Sequence, residues 1–587
     1  MNAQSVTPLV EAVETAVADA IRRVLPETGG TEPLVRRSDF ADYQSNAALP
    51  VAKESGRNPR EIGGAVAEAL DGAGVIAGAE VSGPGFVNLD LTDTAIWDQI
   101  ASRGAAEGLG VGSPLAGKTI VVDYSGPNIA KEMHVGHLRT TIIGDALARL
   151  AEAQGATVIR QNHLGDWGTQ FGMLIQYLTE HPEAEWHEVD DADPTANIAA
   201  LDRLYKEARA AFDADEDFAD RARSRVVALQ TGDETSAAVW SDLVKVSTDA
   251  FDAIYERLGV SLTEDDNAGE STYNDQLNDV VDELVTAGIA VESEGALCVF
   301  FDDITGPDGE PVPMILRKAD GGFGYAATDL AALRHRVRDL KADQILYVVD
   351  ARQALHFKQL FAAARRAGWL TGDVEAAHVP FGTVLGPDGK PFKTRSGSTV
   401  RLMSLLDDAV EKAGKVIGEK NAGADRADLA ELAAVTGIGA VKYADLSNSR
   451  IKDYAFDTDK MVALTGDTGV YLQYAHTRLA SILRKSGDVA VEVDDSLPMS
   501  NEERALALHL DAYGAALAET MAEFEPHRLC VYLYRLARTF TGFYEANPVL
   551  NAETASARGN RLSLVRLTQG TLAHGLGLLG IEAPERM

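Results

Sequence analysis

Two histidines three residues apart, His134 and His137, flank Gly136 shortly after an apolar run, Ile120-Val121-Val122, and a Ser125-Gly-Pro-Asn128 turn. From Leu138 to Leu150 apolar residues recur at helical spacing, so the pair falls where a helix begins. A helix N-terminus offers unbonded N–H groups and the positive end of the dipole. Imidazoles donate to phosphate oxygens, and glycine at 136 leaves room for a nucleotide against the backbone, so the pattern suits a phosphate site. By itself, His-x-x-His at a helix start is often a surface pair and, less often, half of a metal site. A second pair, Tyr325 and Asp329, is spaced i and i+4 as another helix begins, hence on one face. A carboxylate beside a phenol matches a planar guanidinium, although an acid near the dipole and a packing tyrosine are the commoner use of that spacing. A third stretch, Gly386-Pro-Asp-Gly-Lys-Pro-Phe-Lys-Thr-Arg-Ser-Gly397, is basic and rich in hydroxyls. Such a loop can fold over a triphosphate and neutralise charge as it builds; standing alone, it reads more readily as an exposed basic turn.

Positioning these groups calls for a parallel sheet with the site at its carboxyl edge, where open α/β folds bind ligands. The strand ending at Val122 is the first. Thr157–Arg160 is the second, and its loop, Gln161 to Gly172, carries three glycines among polar and aromatic residues. Ile345–Val349 and His378–Leu385 are the next strands; Ala296–Phe301 reads as a buried strand without an assigned sheet. Residues 1–112 read as a separate α+β domain, with helices from Val6 to Leu25 and around 59–72, closed by a Gly-rich link, Gly108 to Gly112. Residues 113–400 form the α/β core. It is interrupted at about 180–260 by a helical insertion whose Glu180–Arg223 portion has 14 acidic against 5 basic residues, a solvated face. Residues 401–465 are mostly helical, and 466–587 read as a helical bundle. Gly269-Glu-Ser-Thr-Tyr273 is a polar turn without a derivable role, and His356 serves equally as a site residue or a helix-face histidine.

Length, 587 residues, fits two to four domains. The balance of 54 basic to 89 acidic residues, −35 net, opposes non-specific adhesion to nucleic acid or anionic membrane. No stretch approaches a span of about 20 apolar residues, and the N-terminus lacks a signal-peptide pattern. Cys298 and Cys530 lie far apart in apolar surroundings and read as buried thiols of a reducing cytosol.

His134-Val-Gly-His137 resembles the His-Ile-Gly-His signature of class I aminoacyl-tRNA synthetases. Its flanks, Ser125-Gly-Pro-Asn-Ile-Ala-Lys131 and Leu138-Arg-Thr-Thr-Ile-Ile-Gly-Asp145, are similar to the arginyl-tRNA synthetase family. The resemblance covers nearly the whole chain. It implies a Rossmann-like catalytic core, an N-terminal domain that contacts the tRNA elbow and a helical anticodon-binding domain. The activity implied is arginine–tRNA ligation: ATP as substrate with Mg²⁺ on its phosphates, no metal site in the protein, and L-arginine and tRNA(Arg) as partners. In this family bound tRNA is generally needed for the first step. The resemblance assigns phosphate contacts to His134, Gly136 and His137. It assigns the substrate guanidinium to Tyr325, Asp329 and Asp123, the last in a position where the family may carry glutamate. Asn128 and Gln353 fall near the amino acid's α-groups. Phe392-Lys-Thr-Arg-Ser396 aligns with the class's Lys-Met-Ser-Lys-Ser loop but lacks both usual lysines. Lys393, Thr394 and Arg395 are therefore its ATP contacts, Arg395 standing for the second lysine, and Lys131 is the candidate to supply the missing charge, with Lys393 competing. RNA is expected on the positive stretch Arg528–Arg566, six arginines against two acids, with Arg528, Arg535 and Arg538 foremost. A cytoplasmic monomer without a membrane segment is expected.

Overall fold

The computed structural model describes residues 5–26, 31–70, 72, 74–184, 186, 194–305, 309, 311–319, 321–386, 388–390, 392, 400–420, 425–487 and 492–587. Lys393, Thr394 and Arg395 lie outside the described residues.

The N-terminal part packs helices Leu9–Val24, Ala48–Ser55 and Pro59–Leu70 on an antiparallel sheet of β1 (Val35–Arg37), β2 (Tyr43–Ser45), β3 (Ile76–Ser82) and β4 (Phe86–Leu91), ordered β1-β2-β4-β3. Along β4, Val87, Leu89 and Leu91 are buried and alternate with more exposed residues, as one packed sheet face requires. Helix Asp93–Ala105 then docks on the last domain of the chain. Arg103 pairs with Asp511 at 2.8 Å with both side chains buried. Asp511 also accepts from the Leu9 N–H at 2.8 Å and from Gln99 at 2.6 Å.

The catalytic sheet is parallel. It contains β5 (Thr119–Asp123), β6 (Thr157–Gln161), then, after the three-stranded sheet described next, β10 (Gln344–Tyr347) and β11 (Glu375–His378), ordered β11-β10-β5-β6. Asp123 is in register with Gln161 on one side and Tyr347 on the other, and Tyr347 with His378, so the strand ends form one row at the carboxyl edge. The buried strand read at Ala296–Phe301 is present as β8 (Ala296–Val299), which lies between β7 (Ala290–Ser293) and β9 (Met314–Arg317) in an antiparallel sheet of its own. One expectation changes: the last parallel strand is not His378–Leu385. β11 ends at His378, because Pro380 has no N–H to donate and the Gly382 N–H turns to the carbonyl of Arg450 at 2.8 Å. Val384–Leu385 instead forms β12, paired with β13 (Tyr454–Ala455).

The insertion is helical: Thr169–Glu180, Pro194–Ala214, Glu216–Gln230 and Glu234–Leu258. Helices Leu402–Lys420 and Arg426–Leu446 follow the core, and helices Gly469–Ser486, Asn501–Asp511, Tyr513–Ala522, His527–Ala546 and Ala555–Leu578 form the terminal bundle. Cys298 and Cys530 are free and buried. Among the described residues no helix is long and apolar enough to cross a membrane.

Candidate active site

A cleft of about 650 Å³ opens at the carboxyl edge of the parallel sheet. Asp123, Asn128, His134, Gly136, His137, Tyr325, Asp329 and Gln353 all line it, so residues spread over 230 positions of sequence meet in one cavity.

At one end, helix Val135–Ala153 starts with His134 as its N-cap. The two imidazoles cap the helix reciprocally: His134 Nδ1 accepts from the Gly136 N–H at 3.0 Å, and His137 Nδ1 accepts from the His134 N–H at 3.1 Å. The rings stack with centroids 4.0 Å apart. Because both Nδ1 atoms act as acceptors, each neutral ring carries its proton on Nε2 and offers Nε2–H as a donor. Burial lowers the pKa of His137 to about 3, helped by the charges of His134 and Lys131. Burial also lowers that of His134, with Arg352 and Lys131 in support. Both rings are therefore neutral donors at physiological pH.

The turn before this helix is strained. Ser125 (φ 70°) and Ala130 (φ 64°) adopt left-handed backbone, at a cost of about 1–2 kcal/mol each. The surroundings hold them there. The Ser125 N–H donates to Thr140 Oγ1 at 3.0 Å, Ser125 Oγ meets the Tyr255 hydroxyl at 2.7 Å, and the Ala130 N–H donates to Ser247 Oγ at 3.0 Å. Tyr255 and Ser247 belong to the insertion's last helix, which thus buttresses the site loop. Asn128 bridges to Gly165, where a Cβ would lie 2.6 Å from Asn128 Oδ1. Only glycine allows that approach.

The other end is acidic. Asp329, one turn into helix Tyr325–Arg338, accepts from His356 Nε2 at 2.6 Å and lies 3.5 Å from His163 Nε2. Burial pushes its carboxyl up. The His356 hydrogen bond and the charges of His163, His356 and Arg336 outweigh this and hold it below the usual range. Tyr325 is 68 % exposed, its ring 5.0 Å from that of His356. Asp123 is not a free carboxylate: Oδ2 pairs with Arg336 Nη1 at 2.7 Å. Arg336 is itself fully buried, 5.0 Å from the Tyr347 ring, and donates to Gln161 at 2.5 Å.

Glu270, His163 and Arg352 are among the lining residues that the sequence did not single out. Glu270 enters the cleft from the 269–273 turn, which was visible as a polar turn with no role. Asp166 fixes that turn by accepting from the Ser271 N–H and Oγ at 2.9 and 2.6 Å. Burial, then the charges of Asp329 and Asp166, raise the Glu270 pKa to about 8. His163 sits within the 161–172 loop and had no distinguishing spacing. Arg352 lies on the rim, paired with Asp350 at 2.8 Å. His356 resolves as a lining residue.

Other expected residues stand elsewhere. Lys131 is outside the lining, its ammonium 4.6 Å from the ring centre of Tyr205 in the insertion. Arg535 and Arg538 are exposed on helix His527–Ala546, Arg538 lying 6.0 Å from the Tyr534 ring. Arg528 is paired with Glu519 and Glu525. Tyr532, Phe540 and Phe543 are core.

Family models match three successive parts of the chain: the arginyl tRNA synthetase N-terminal domain over residues 11–91, the catalytic domain of class I (R) tRNA synthetases over 109–458, and the DALR anticodon binding domain over 472–587. The arginine–tRNA ligase of Frankia casuarinae is 61% identical across 100% of both chains. That of Streptomyces coelicolor is 52% identical over 99% of this chain and 100% of its own. Among solved structures, the arginyl-tRNA synthetase of Plasmodium falciparum superposes with a TM-score of 0.83 at 28% identity over 100% of both chains. That of Thermus thermophilus gives 0.78 at 26% identity over 98% of this chain and 100% of its own. With a catalytic-domain match over more than half of its length and full-length relatives above half identity, the chain belongs to the arginyl-tRNA synthetases, ligases of class I.

Proposed function

We propose that this cleft activates L-arginine with ATP and transfers it to tRNA(Arg), with the acidic end taking the guanidinium and the helix N-terminus taking the phosphates. The observation that carries this reading is polarity along one cavity: the Asp329 carboxylate and the Glu270 carboxyl group with Tyr325 at one end, neutral Nε2–H donors of His134 and His137 at the other.

The arginine carboxylate attacks the α-phosphorus in line, the bond to pyrophosphate breaks, and arginyl-adenylate forms. The terminal ribose hydroxyl of the tRNA then attacks the acyl carbon and AMP leaves. Little proton transfer is needed in the first step, so positioning and charge stabilisation carry the barrier. Asn128 and Gln353 orient the α-groups. Asp329 pairs with the guanidinium, exchanging its imidazole partner for a planar donor fork. Asp123, shared with Arg336, makes the floor of that end. Lys131 leaves the Tyr205 ring to meet the phosphates, and Lys393, Thr394 and Arg395 keep the roles that the family pattern implies. Mg²⁺ would come with the triphosphate as substrate, where it would neutralise phosphate charge. Arg535 and Arg538 face the RNA. Arg528, already engaged by two glutamates, contributes less.

The test is ATP–pyrophosphate exchange with each amino acid, with and without total tRNA. Exchange should require arginine and tRNA together; exchange without arginine, or none with both present, would sink the reading.

Glu270 supplies a second, independent prediction. Its pKa of about 8 is raised above the usual 4.5, so below pH 8 the empty site holds a proton there. A guanidinium cation favours the ionised form. Arginine binding at pH 7 should therefore release close to one proton, and affinity should rise from pH 6 to 8 and level off above. Calorimetry in buffers of different ionisation enthalpy reads the proton directly. Glu270→Gln should abolish that component, and unchanged release in that variant would remove Glu270 from the guanidinium site.

A further inference from the structure

Arg139 lies five residues beyond His134, on the same helix, and is not part of the cleft lining. Its side chain is completely buried. Nη1 donates to the carbonyl of Gly382 at 2.9 Å and to that of Lys452 at 3.0 Å. Nε pairs with Asp445 at 3.2 Å, and the guanidinium carbon is 5.1 Å from the Tyr454 ring centre. Two residues before Lys452, Arg450 repeats the device. Its Nη1 donates to the carbonyl of Pro380 at 2.8 Å, and its Nε to the carbonyl of Phe524 at 2.9 Å. Phe524 lies between helices Tyr513–Ala522 and His527–Ala546 of the terminal bundle.

The two arginines grip one short segment. At Gly382 the N–H donates to the Arg450 carbonyl at 2.8 Å, and the carbonyl accepts from Arg139. A Cβ there would come within 2.7 Å of Asp453 Oδ1 and 2.8 Å of the Lys452 carbonyl. Thr383 N–H donates to Asp453 Oδ1 at 2.6 Å, and β12 and β13 pair just beyond. An unbroken series of hydrogen bonds therefore runs from Phe524 through Arg450, the 380–382 backbone and Arg139 to the helix whose first residues are the histidine donors.

We propose that Arg139 and Arg450 are positioning residues that transmit the placement of the terminal helical bundle to the phosphate end of the cleft through the segment Pro380–Gly382. Stability alone is a poor reason for this chemistry. Burying a guanidinium and a carboxylate costs desolvation that their attraction offsets only with good geometry, and apolar replacements often do as well. A guanidinium fork does provide fixed, simultaneous direction to several acceptors. Here those acceptors are backbone carbonyls 243 and 313 residues from Arg139 in sequence, so what is fixed is the relation between distant segments. A shift of the Phe524 turn moves carbonyls that the fork cannot follow without moving the 380–382 peptide. That peptide in turn carries a bond to the helix of His134 and His137.

The inference rests on the arginine-activation reading, and its test separates the two. Full-length Arg450→Met and Arg450→Lys would be compared with the parent by four measurements: pyrophosphate exchange with ATP and arginine in the presence of tRNA, tRNA dissociation constant, KM for ATP and arginine, and thermal unfolding. Arg450→Met should bind tRNA within threefold of the parent and keep both KM values within threefold, while kcat for exchange falls tenfold or more. Arg450→Lys, which keeps the charge but offers a single donor nitrogen in place of the fork, should recover part of kcat. Arg139→Lys combined with Arg450→Met should lose less than the product of the single losses, since both act on one segment. Unchanged kcat in Arg450→Met, or a kcat loss matched by an equal loss of tRNA affinity, would overturn the proposal, as would multiplicative losses in the double variant. Exchange supported by another amino acid would sink the arginine reading, yet the variant-to-parent ratio would still report on the two arginines.

Discussion

Asp329→Asn should raise the KM for arginine about 100-fold or more while leaving that for ATP within threefold. Removing one partner of a hydrogen-bonded, largely desolvated charge pair costs about 3–5 kcal/mol, and each 1.4 kcal/mol is tenfold in affinity. The asparagine keeps the volume, and its oxygen still accepts from His356, so the pocket keeps its shape while losing its charge. The ATP end is untouched, because the histidine pair is fixed by its own backbone bonds rather than by the acidic end. Steady-state exchange kinetics with each substrate varied in turn give the answer. Equal rises for arginine and ATP would remove Asp329 from the guanidinium site.

His134→Ala and His137→Ala should each lower kcat for exchange about 100- to 1000-fold, the usual loss when a preorganised donor to developing charge is removed, with the KM for arginine nearly unchanged. The neutral state of both rings adds a pH signature. The pKa of His137 is held at about 3 against the usual 6.5, so its contribution to stability is complete above pH 6.5 and is lost progressively as pH falls toward 3. Exchange should therefore show no inflection from these rings between pH 7 and 9. Chemical denaturation should show the parent losing more stability than His137→Asn between pH 6.5 and 4, since an asparagine can cap the same N–H without taking up a proton. A parent and variant that lose stability in parallel would mean the imidazole is not held neutral.

Much of this site was legible because its signals are local. His134 and His137 announce a helix start, Tyr325 and Asp329 share a face by spacing alone, and the glycine-rich 161–172 loop follows a β-branched strand. Assigning the acidic end to a guanidinium rests on resemblance, since an acid and a tyrosine at that spacing are commonplace. What sequence could not supply is through-space. Nothing local predicts that Arg336 takes Asp123 for itself, since 213 positions separate them. Glu270 stands out only when Asp166 clamps its turn and burial, followed by the charge of Asp329, raises its pKa. Nothing in its own sequence sets the insertion's last helix apart, yet its Tyr255 and Ser247 support the strained 125–130 backbone. The misplaced last strand has a local cause that was visible, Pro380, but its weight depended on Arg450 claiming the neighbouring N–H.

The buried pair of Arg103 and Asp511 has a consequence for how the molecule is made. The two residues are 408 positions apart. At ribosomal rates of about 5–20 residues per second, roughly 20–80 s pass between the synthesis of the arginine and that of its carboxylate. During that interval the first domain carries an unmatched cation, and an open docking face where Gln99 and the Leu9 N–H also await Asp511. The N-terminal domain is thus first out of the ribosome and among the last to reach its final surroundings. A chain stalled or cut before Asp511 would leave that face exposed to chaperones and proteases.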